Sequence, residues 1–270
     1  MAFVDGGVLV ALGLAIGSFG TLIGAGGGFL LVPVLVLGYH FPPATAVGTS
    51  LSLVFLNAAS GSAAYLWQRR VDLALGWKFA AATIPGAIGG AYLTRSLSSA
   101  TFNLLFGLVL LAIAALLFSG VTVTPSERAD RRQIVDAGGQ AHAYHVDAWK
   151  GVVVSFVVGF VSSVLGIGGG IIHVPFLIVA LSLPVHVATA TSHFVLSISA
   201  FVGALTFLLL GHVDLRITAL MGAGILVGAQ LGARASLRAG ATLIRGVLAG
   251  ALALVGLRMV VEALWRARGA

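Results

Sequence analysis

Ten apolar stretches follow one another along the chain, and one polar stretch interrupts them. Several of the apolar stretches reach the roughly 20 residues that a helix needs to cross a bilayer. The pattern predicts an all-α integral membrane protein with about 8–10 helices. The stretches are 7–23, 29–38, 49–67, 73–93, 101–121, 150–165, 171–183, 191–211, 215–235 and 241–264.

Two of these stretches, 29–38 and 171–183, are too short to span a bilayer. Each follows a cluster of glycines and contains a proline, Pro33 in one case and Pro175 in the other. Such pieces are typical of broken or re-entrant helices, whose opened backbone is tolerated only where protein or a cavity satisfies it. We therefore expect both short stretches to enter the membrane without crossing it.

The first five stretches and the last five are related by one constant offset in sequence. Such self-similarity at a fixed spacing indicates an internal duplication. The sequence predicts repeat one over 1–121, a polar linker over 122–149 and repeat two over 150–270. The offset that relates Gly24 to Gly166 also relates Pro33 to Pro175, Pro42 to Pro184, Thr49-Ser50 to Thr191-Ser192, and Val71-Asp72-Leu73 to Val213-Asp214-Leu215.

Composition supports a membrane protein. Hydrophobic residues make up 59% of the chain, charged residues only 9%, and the mean hydropathy is +1.09. This leaves too little polar surface to cover a soluble domain of 270 residues. No cysteine occurs, which excludes disulfides and thiol chemistry. The net charge of +7 is carried in loops, so it predicts topology and not a nucleic-acid surface.

Basic residues indicate that the two repeats have opposite orientations. They concentrate in the loop after the third stretch of repeat one, in the linker, and in the loop after the fourth stretch of repeat two. The positive-inside rule places all three in the cytoplasm, which predicts inverted repeats in the inner or plasma membrane. Arg266 and Arg268 near the C-terminus oppose this orientation. The loop residues concerned are Arg69, Arg70 and Lys78, then Arg234, Arg238 and Arg245.

Inverted repeats with interrupted helices are typical of secondary transporters, which bind substrate where the two halves meet. The glycine clusters are the predicted substrate site, because glycine permits close backbone approach and positive φ. The N-terminus of the following helix carries partial positive charge and favours an anion. The predicted glycines are Gly26, Gly27, Gly28, Gly168, Gly169 and Gly170.

Acidic residues are absent from the centre of every apolar stretch. A carrier of cations would normally place a carboxylate there, so the sequence favours an anionic substrate. The alternative is that the glycines only allow helices to pack closely. That alternative is the favoured interpretation for Gly86, Gly90, Gly228 and Gly232.

These motifs resemble the TauE/SafE sulfite exporter family over nearly the whole chain. The resemblance rests on Gly26 to Pro33 and Gly168 to Pro175, followed by Ala46 to Ser50 and Ala188 to Ser192. It implies a permease for sulfur-containing anions, such as sulfite or the organosulfonate sulfoacetate. The residues themselves predict only a small anion.

Five polar side chains are the predicted neighbours of the glycine clusters. Four hydroxyls occupy the start of the third stretch of each repeat, where they either cap the helix or donate to an oxyanion. The amide of Asn57 could donate to substrate or bond to a neighbouring helix. The hydroxyls belong to Thr49, Ser50, Thr191 and Ser192.

Two histidines distinguish the second repeat. His173 and His193 replace Leu31 and Leu51. Either imidazole could donate to an anion or carry a co-transported proton, because its charge changes near physiological pH. The alternative is a neutral histidine bonded to a neighbouring helix.

The sequence therefore predicts a permease that moves a small sulfur-containing anion by alternating access. A small-anion channel and a permease for another anion stay open, as does the oligomeric state. Ser192 beside His193 does not predict an enzyme, because adjacent helical residues point about 100° apart and no acidic residue is available to orient the imidazole. No cofactor, metal or nucleic acid is expected; the partners are the small anion, the lipid bilayer and a proton. His142 and His145 offer too few ligands for a metal.

Overall fold

The computed structural model describes residues 6–119, 130–238 and 240–268, with only the backbone described for 241–245 and 266–268. Within these ranges the chain forms ten α-helices and one two-stranded hairpin. α2 continues into a π-helical turn, Val34–Gly38. The helices are α1 Gly6–Leu22, α2 Gly28–Pro33, α3 Pro43–Trp67, α4 Leu73–Thr94, α5 Ser99–Phe118, α6 Ala148–Leu165, α7 Gly170–Val179, α8 Val185–Leu209, α9 Leu215–Ala235 and α10 Ala241–Arg268.

Six helices in the described ranges are long and apolar enough to cross a membrane: α3, α5, α6, α8, α9 and α10. The apolar helices α1, α7 and α2 with its π-helical turn are shorter. The prediction of an all-α membrane protein with 8–10 helices is confirmed, and the chain is a multi-pass membrane protein.

The helices α3 and α8 begin earlier than the hydropathy pattern predicted. Pro42 and Pro184 precede them with extended backbone, at ψ 148° and 137°. Proline suits this position because its fixed φ and missing N–H are compatible with a helix start. The prediction that the four hydroxyl residues cap these helices is therefore wrong, since they lie inside the second helical turn. They are Thr49, Ser50, Thr191 and Ser192.

Four of the first five helices pack mainly against four of the last five. α1 lies on α9, α4 on α6, α5 on α10 and α3 on α8. Glycines bring the backbones together at these crossings. A Cβ on Gly13 would lie 3.0 Å from Met221 Cα, and one on Gly159 would lie 2.8 Å from Thr83 Cα.

The same close approach occurs at the four glycines for which packing was the favoured interpretation. A Cβ on Gly86 or Gly90 would meet the backbone of α6, and a Cβ on Gly228 or Gly232 would meet the backbone of α1. These glycines therefore permit helix packing.

The polar stretch between the two sets of helices contains an antiparallel hairpin that the sequence analysis did not predict. β1 is Asp130–Val135 and β2 is Ala141–Val146, with Asp130 opposite Val146. Residues 122–129 of the predicted linker lie outside the described residues. In the hairpin turn, hydrogen bonds from the backbone of Gln140 and from His142 and Gly138 hold the pKa of Asp136 below its usual range.

Asp72 fastens this hairpin to the loop between α3 and α4. The carboxylate caps α4 by accepting from Leu75 N at 3.0 Å. It also pairs with Arg132 at 3.2 Å and accepts from the Tyr144 hydroxyl at 2.8 Å. Burial and the Asp72 charge raise the pKa of Tyr144, so the phenol stays a donor. A backbone bond from Ala137 N to Gln68 O, 3.0 Å long, adds a second attachment.

The end of α9 lies at the same end of the molecule. Arg70 in the α3–α4 loop donates to Ser236 Oγ, the residue that follows α9, at 3.1 Å. We call the end formed by residues 68–72, the hairpin and Ser236 the hairpin face. The hairpin face contains parts of three segments: the α3–α4 loop, the linker and the segment after α9. These are the segments that the charge pattern predicted to lie on the same side of the membrane.

Candidate functional site

Two glycine-rich turns connect α1 to α2 and α6 to α7. Three glycines in each turn have positive φ, a conformation that is unfavourable for residues with a Cβ atom. α2 and α7 begin directly after these turns. The φ values are 74°, 73° and 80° for Gly24, Gly26 and Gly27, and 71°, 75° and 69° for Gly166, Gly168 and Gly169.

The two turns touch each other at the centre of the protein. A Cβ on Gly28 would lie 2.8 Å from the carbonyl carbon of Ile167. In the same way, a Cβ on Gly170 would lie 3.0 Å from Ala25 Cα. The backbones of the two halves are therefore in direct contact at the predicted substrate site.

Two apolar side chains fill the space beside the crossing turns. Val54 on α3 and Leu196 on α8 are both buried. A Cβ on Gly26 would lie 2.6 Å from Leu196 Cδ2, and a Cβ on Gly168 would lie 3.0 Å from Leu196 Cδ1. The Cβ added to Gly26 would also lie 3.1 Å from Val54 Cγ1. This apolar pair therefore contacts both turns at once.

Several backbone donors of the turns are already used. Ala25 N and Gly26 N donate to Gly20 O at 2.9 and 3.1 Å. Gly170 N donates to Gly168 O at 2.7 Å. These amides are not free to bind a ligand in this conformation, so an anion would depend on the remaining amides and on side chains.

A buried polar cluster lies beside the first turn, and we call it the Asn57 cluster. Thr21 Oγ1 donates to Asn57 Oδ1, and Asn57 Nδ2 donates to Gly26 O at 3.0 Å. Tyr65 donates to Thr21 O at 2.6 Å. His193 Nε2 lies 3.4 Å from Thr21 Oγ1, and its ring meets the Tyr65 ring edge-on at 5.6 Å. Asn57 thus bonds across helices, which is the second of the two roles considered for it.

A small cavity lies beside the second turn, and we call it the Ser192 cavity. Gly168, Gly169 and Gly170 line it with His173 and Ser192, and Thr83, Ser199, Val158, Val195 and Leu196 complete the wall. It has room for roughly one water molecule. Within the described chain, the buried Ser192 Oγ makes no hydrogen bond. The cavity therefore holds a polar group that lacks a partner.

The hydrogen bonds of His173 define its tautomer. Ser155 donates its hydroxyl hydrogen to Gly151 O at 2.6 Å, so it accepts from His173 Nε2 at 3.0 Å. A neutral imidazole that donates through Nε2 has a bare acceptor at Nδ1. Within the described chain, this buried Nδ1 has no partner.

The two serines predicted to line the site differ in their bonding. Ser50 Oγ donates to Gly166 O at 2.8 Å, which ties α3 to the second turn. Ser192, at the equivalent position in α8, makes no such bond within the described chain. Ser192 is therefore the serine that remains available to a ligand.

The two threonines beside these serines join the halves. Thr49 Oγ1 accepts from Asp214 N at 2.9 Å, and Thr191 Oγ1 accepts from Asp72 N at 3.0 Å. Asp72 and Asp214 in turn cap α4 and α9. The threonines therefore hold the loops that precede α9 and α4.

The structure divides the predicted site residues between the two sides of the crossing turns. Gly26 and Gly27 lie with Asn57 and His193, whereas Gly168 to Gly170 lie with Ser192 and His173. Four residues around the site were not predicted from the sequence: Thr21, Tyr65, Thr83 and Ser155. A single polar residue inside an apolar stretch was the available signal for these residues.

Comparison with known proteins identifies the family of this chain. The family described as sulfite exporter TauE/SafE matches residues 9–259. The chain belongs to the TauE/SafE family. One relative, the probable membrane transporter protein YunE of Bacillus subtilis (strain 168), is 31% identical over 98% of this chain and 100% of its own length.

Two further relatives have similar descriptions. The probable membrane transporter protein MJ0441 of Methanocaldococcus jannaschii is 28% identical, over 94% of each chain. A probable membrane transporter protein of Haemophilus influenzae is 26% identical over 93% of this chain and 92% of its own length. No solved structure matches this TauE/SafE chain.

Proposed function

We propose that this TauE/SafE protein is a secondary transporter for small sulfur-containing anions, such as sulfite or organosulfonates, and that it works by alternating access. The contact between the two glycine turns at the centre of the molecule is the observation that carries this proposal. The family description supplies the sulfur-containing class of substrate.

The proposal includes two inverted repeats, 1–121 and 150–270, joined by the linker 122–149. The pairing of helices supports it. The sequence offset relates α1 to α6 and α4 to α9, so the packed pair α1 and α9 corresponds to the packed pair α6 and α4. The same offset makes two hydrogen bonds equivalent, one from Asp214 N to Thr49 and one from Asp72 N to Thr191. We place the linker in the cytoplasm and the protein in the inner or plasma membrane, following the basic loops.

The anion in this proposal binds between the Asn57 cluster and the Ser192 cavity. Gly26 to Gly28 with Asn57 and His193 form one wall, and Gly168 to Gly170 with Ser192 form the other. Val54 and Leu196 contact both turns and must separate before an anion larger than water can enter. Their separation is the conformational step that alternating access requires.

His173 supports coupling to a proton. Its Nδ1 is an acceptor without a partner in the described chain, so a proton can bind there without breaking a hydrogen bond. Protonation would convert Nδ1 into a charged donor beside the anion. His193, the other candidate, lies in the Asn57 cluster. We infer transport without catalysis, since Ser192 makes no hydrogen bond to a base in the described chain.

The first prediction concerns uptake by the intact protein. Proteoliposomes that contain it are expected to take up radiolabelled sulfite with saturable kinetics and to show counterflow when preloaded with unlabelled sulfite. An inward proton gradient is expected to raise the initial rate. Sulfate and chloride serve as competing anions, and empty liposomes serve as the control.

The uptake assay also separates the alternatives. Conduction without saturation or counterflow would identify a channel, whereas saturable uptake of another anion would reject the sulfur-containing class. If well-folded protein takes up no anion at all, the transport proposal fails.

The second prediction compares Ser192 with Ser50. Ser192→Ala is expected to weaken sulfite uptake with almost no change in stability, because its hydroxyl has no partner to lose. Ser50→Ala is expected to lower the free energy of unfolding by about 0.5–1.5 kcal/mol through loss of its bond to Gly166. Uptake kinetics and thermal unfolding of both variants check this. Unchanged uptake by Ser192→Ala would remove Ser192 from the site.

A further inference from the structure

A buried arginine lies at the hairpin face, outside the site described above. Arg70 is only 2% exposed, although it follows directly after the exposed Arg69. Its Nη1 donates to Gln68 Oε1 at 3.0 Å and to Ser236 Oγ at 3.1 Å. Its Nη2 lies 2.8 Å from His186 Nδ1 and 3.3 Å from the His186 carbonyl oxygen.

All of these acceptors are neutral. Burial lowers the pKa of Arg70, yet an arginine side chain keeps its charge in proteins. No carboxylate of the described chain forms an ion pair with it within 4.0 Å. A buried charge without a counter-ion is costly, whereas a planar guanidinium binds an oxyanion through paired hydrogen bonds.

The acidic residues nearby are engaged elsewhere. Asp72 pairs with Arg132 and accepts from Tyr144. Asp136 lies 3.3 Å from His142 and accepts two backbone hydrogens of the hairpin turn. Asp136 acts on Arg70 through space, but no carboxylate of the described residues is in direct contact with the guanidinium.

Arg70 is also connected to the centre of the protein. Its guanidinium lies 5.3 Å from the centre of the Tyr65 ring. Tyr65 in turn contacts His193 and donates to Thr21 in the Asn57 cluster. One side chain thus separates Arg70 from the proposed substrate site.

We propose that Arg70 forms a second binding site for a small oxyanion, at the hairpin face and one side chain away from the centre of the Asn57 cluster. The anion replaces Gln68 and His186 as partners of the guanidinium and supplies a negative charge in direct contact with it. The residue that the sequence offset pairs with Arg70 is His212. Among the described residues, the buried arginine therefore has no counterpart in the second repeat. The role in transport rests on the proposed function, whereas binding of an oxyanion at Arg70 does not.

The third prediction tests binding separately from transport. Thermal unfolding of the purified full-length protein is followed with sulfite, sulfate or phosphate, at constant ionic strength balanced with gluconate. At least one oxyanion is expected to raise the unfolding midpoint of the wild-type protein. Arg70→Gln should reduce this shift, leaving only the part that the proposed central site supplies, and the exposed control Arg69→Gln should keep the full shift.

A second variant avoids dependence on the folding of Arg70→Gln. Gln68→Glu places a carboxylate on the acceptor that already bonds to Arg70. It is expected to raise the midpoint without added anion and to reduce the response to anions as Arg70→Gln does. Gln133→Glu, on an exposed position of β1, is the matched control and should respond as the wild type does.

Uptake kinetics then test the role in transport. Arg70→Gln is expected to raise the apparent KM for sulfite about tenfold or more, the loss expected when a charge-assisted contact worth about 1.4 kcal/mol or more is removed. Wild-type protein without any anion-dependent shift, or Gln68→Glu that responds like the wild type, would overturn the Arg70 site. An Arg70-dependent shift without uptake of any anion would reject transport and leave the site standing.

Discussion

Gly168→Ala is expected to abolish sulfite uptake and to lower the free energy of unfolding by about 2–5 kcal/mol. Two costs add at this position. Gly168 has φ 75°, and a left-handed conformation costs a residue with a Cβ about 1–2 kcal/mol. The new methyl group would also clash with Val54 Cγ1 and lie 3.0 Å from Leu196 Cδ1. Valine has few alternative rotamers, so it cannot easily move away.

Gly211→Ala is the matched control for backbone strain. Gly211 has φ 74°, but a Cβ there meets no atom within 4 Å. It should cost only the conformational part, about 1–2 kcal/mol, and leave uptake intact. The double variant Gly168→Ala with Val54→Ala should recover part of the lost stability, which a double-mutant cycle measures. Equal losses in Gly168→Ala and Gly211→Ala would contradict the packing argument.

Asp72→Asn is expected to release the hairpin from the α3–α4 loop. Asparagine caps a helix as well as aspartate does, so α4 should keep its N-terminus. Arg132 and Tyr144, however, lose the carboxylate that they share. Hydrogen bonds to charged groups contribute about 1.5–3 kcal/mol. Arg132 is 25% exposed, so we expect a loss near the lower end of this range.

Asp214→Asn provides the matched control. Asp214 caps α9 by accepting from Ile217 N, as Asp72 caps α4. It lies next to Thr49 and away from the hairpin. Hydrogen exchange of residues 130–146 should accelerate in Asp72→Asn and stay unchanged in Asp214→Asn. Equal exchange in the two variants would show that Asp72 does not fasten the hairpin.

Much of the fold could be predicted because its signals are local in the sequence. Long apolar stretches predicted the spanning helices, and aspartate, a residue that commonly caps helices, stands directly before α4 and α9. Glycine clusters predicted turns that the φ values of Gly26 and Gly168 confirm. The true starts of α3 and α8 were missed, because the small and polar residues after Pro42 and Pro184 lower the local hydropathy.

The hairpin could have been recognised from its alternating pattern. In β2, His142, Tyr144 and Val146 are buried, and the residues between them are exposed. This alternation is the usual signal of a half-buried strand. The high content of charged residues in 122–149 concealed it.

Long-range contacts account for what the sequence could not predict about the site. Arg69 and Arg70 look alike in a basic loop, and only the approach of Ser236 and His186 buries one of them. Likewise, Ser50 and Ser192 occupy equivalent positions, yet only Ser50 reaches a carbonyl of the opposite turn. The inverted arrangement of the repeats, the topology and the substrate stay predictions.

The pairing of α1 with α9 imposes an order on biosynthesis. Gly13 on α1 and Gly224 on α9 contact the partner helix through their backbones, but α9 is made long after α1. At about 5–20 residues per second, the ribosome needs roughly ten seconds or more to reach it. During this interval α1 lacks its principal partner, and α4 likewise lacks α6 until the linker has been synthesised. Premature release of the nascent chain would leave glycine-lined helix surfaces uncovered for recognition by quality-control proteases.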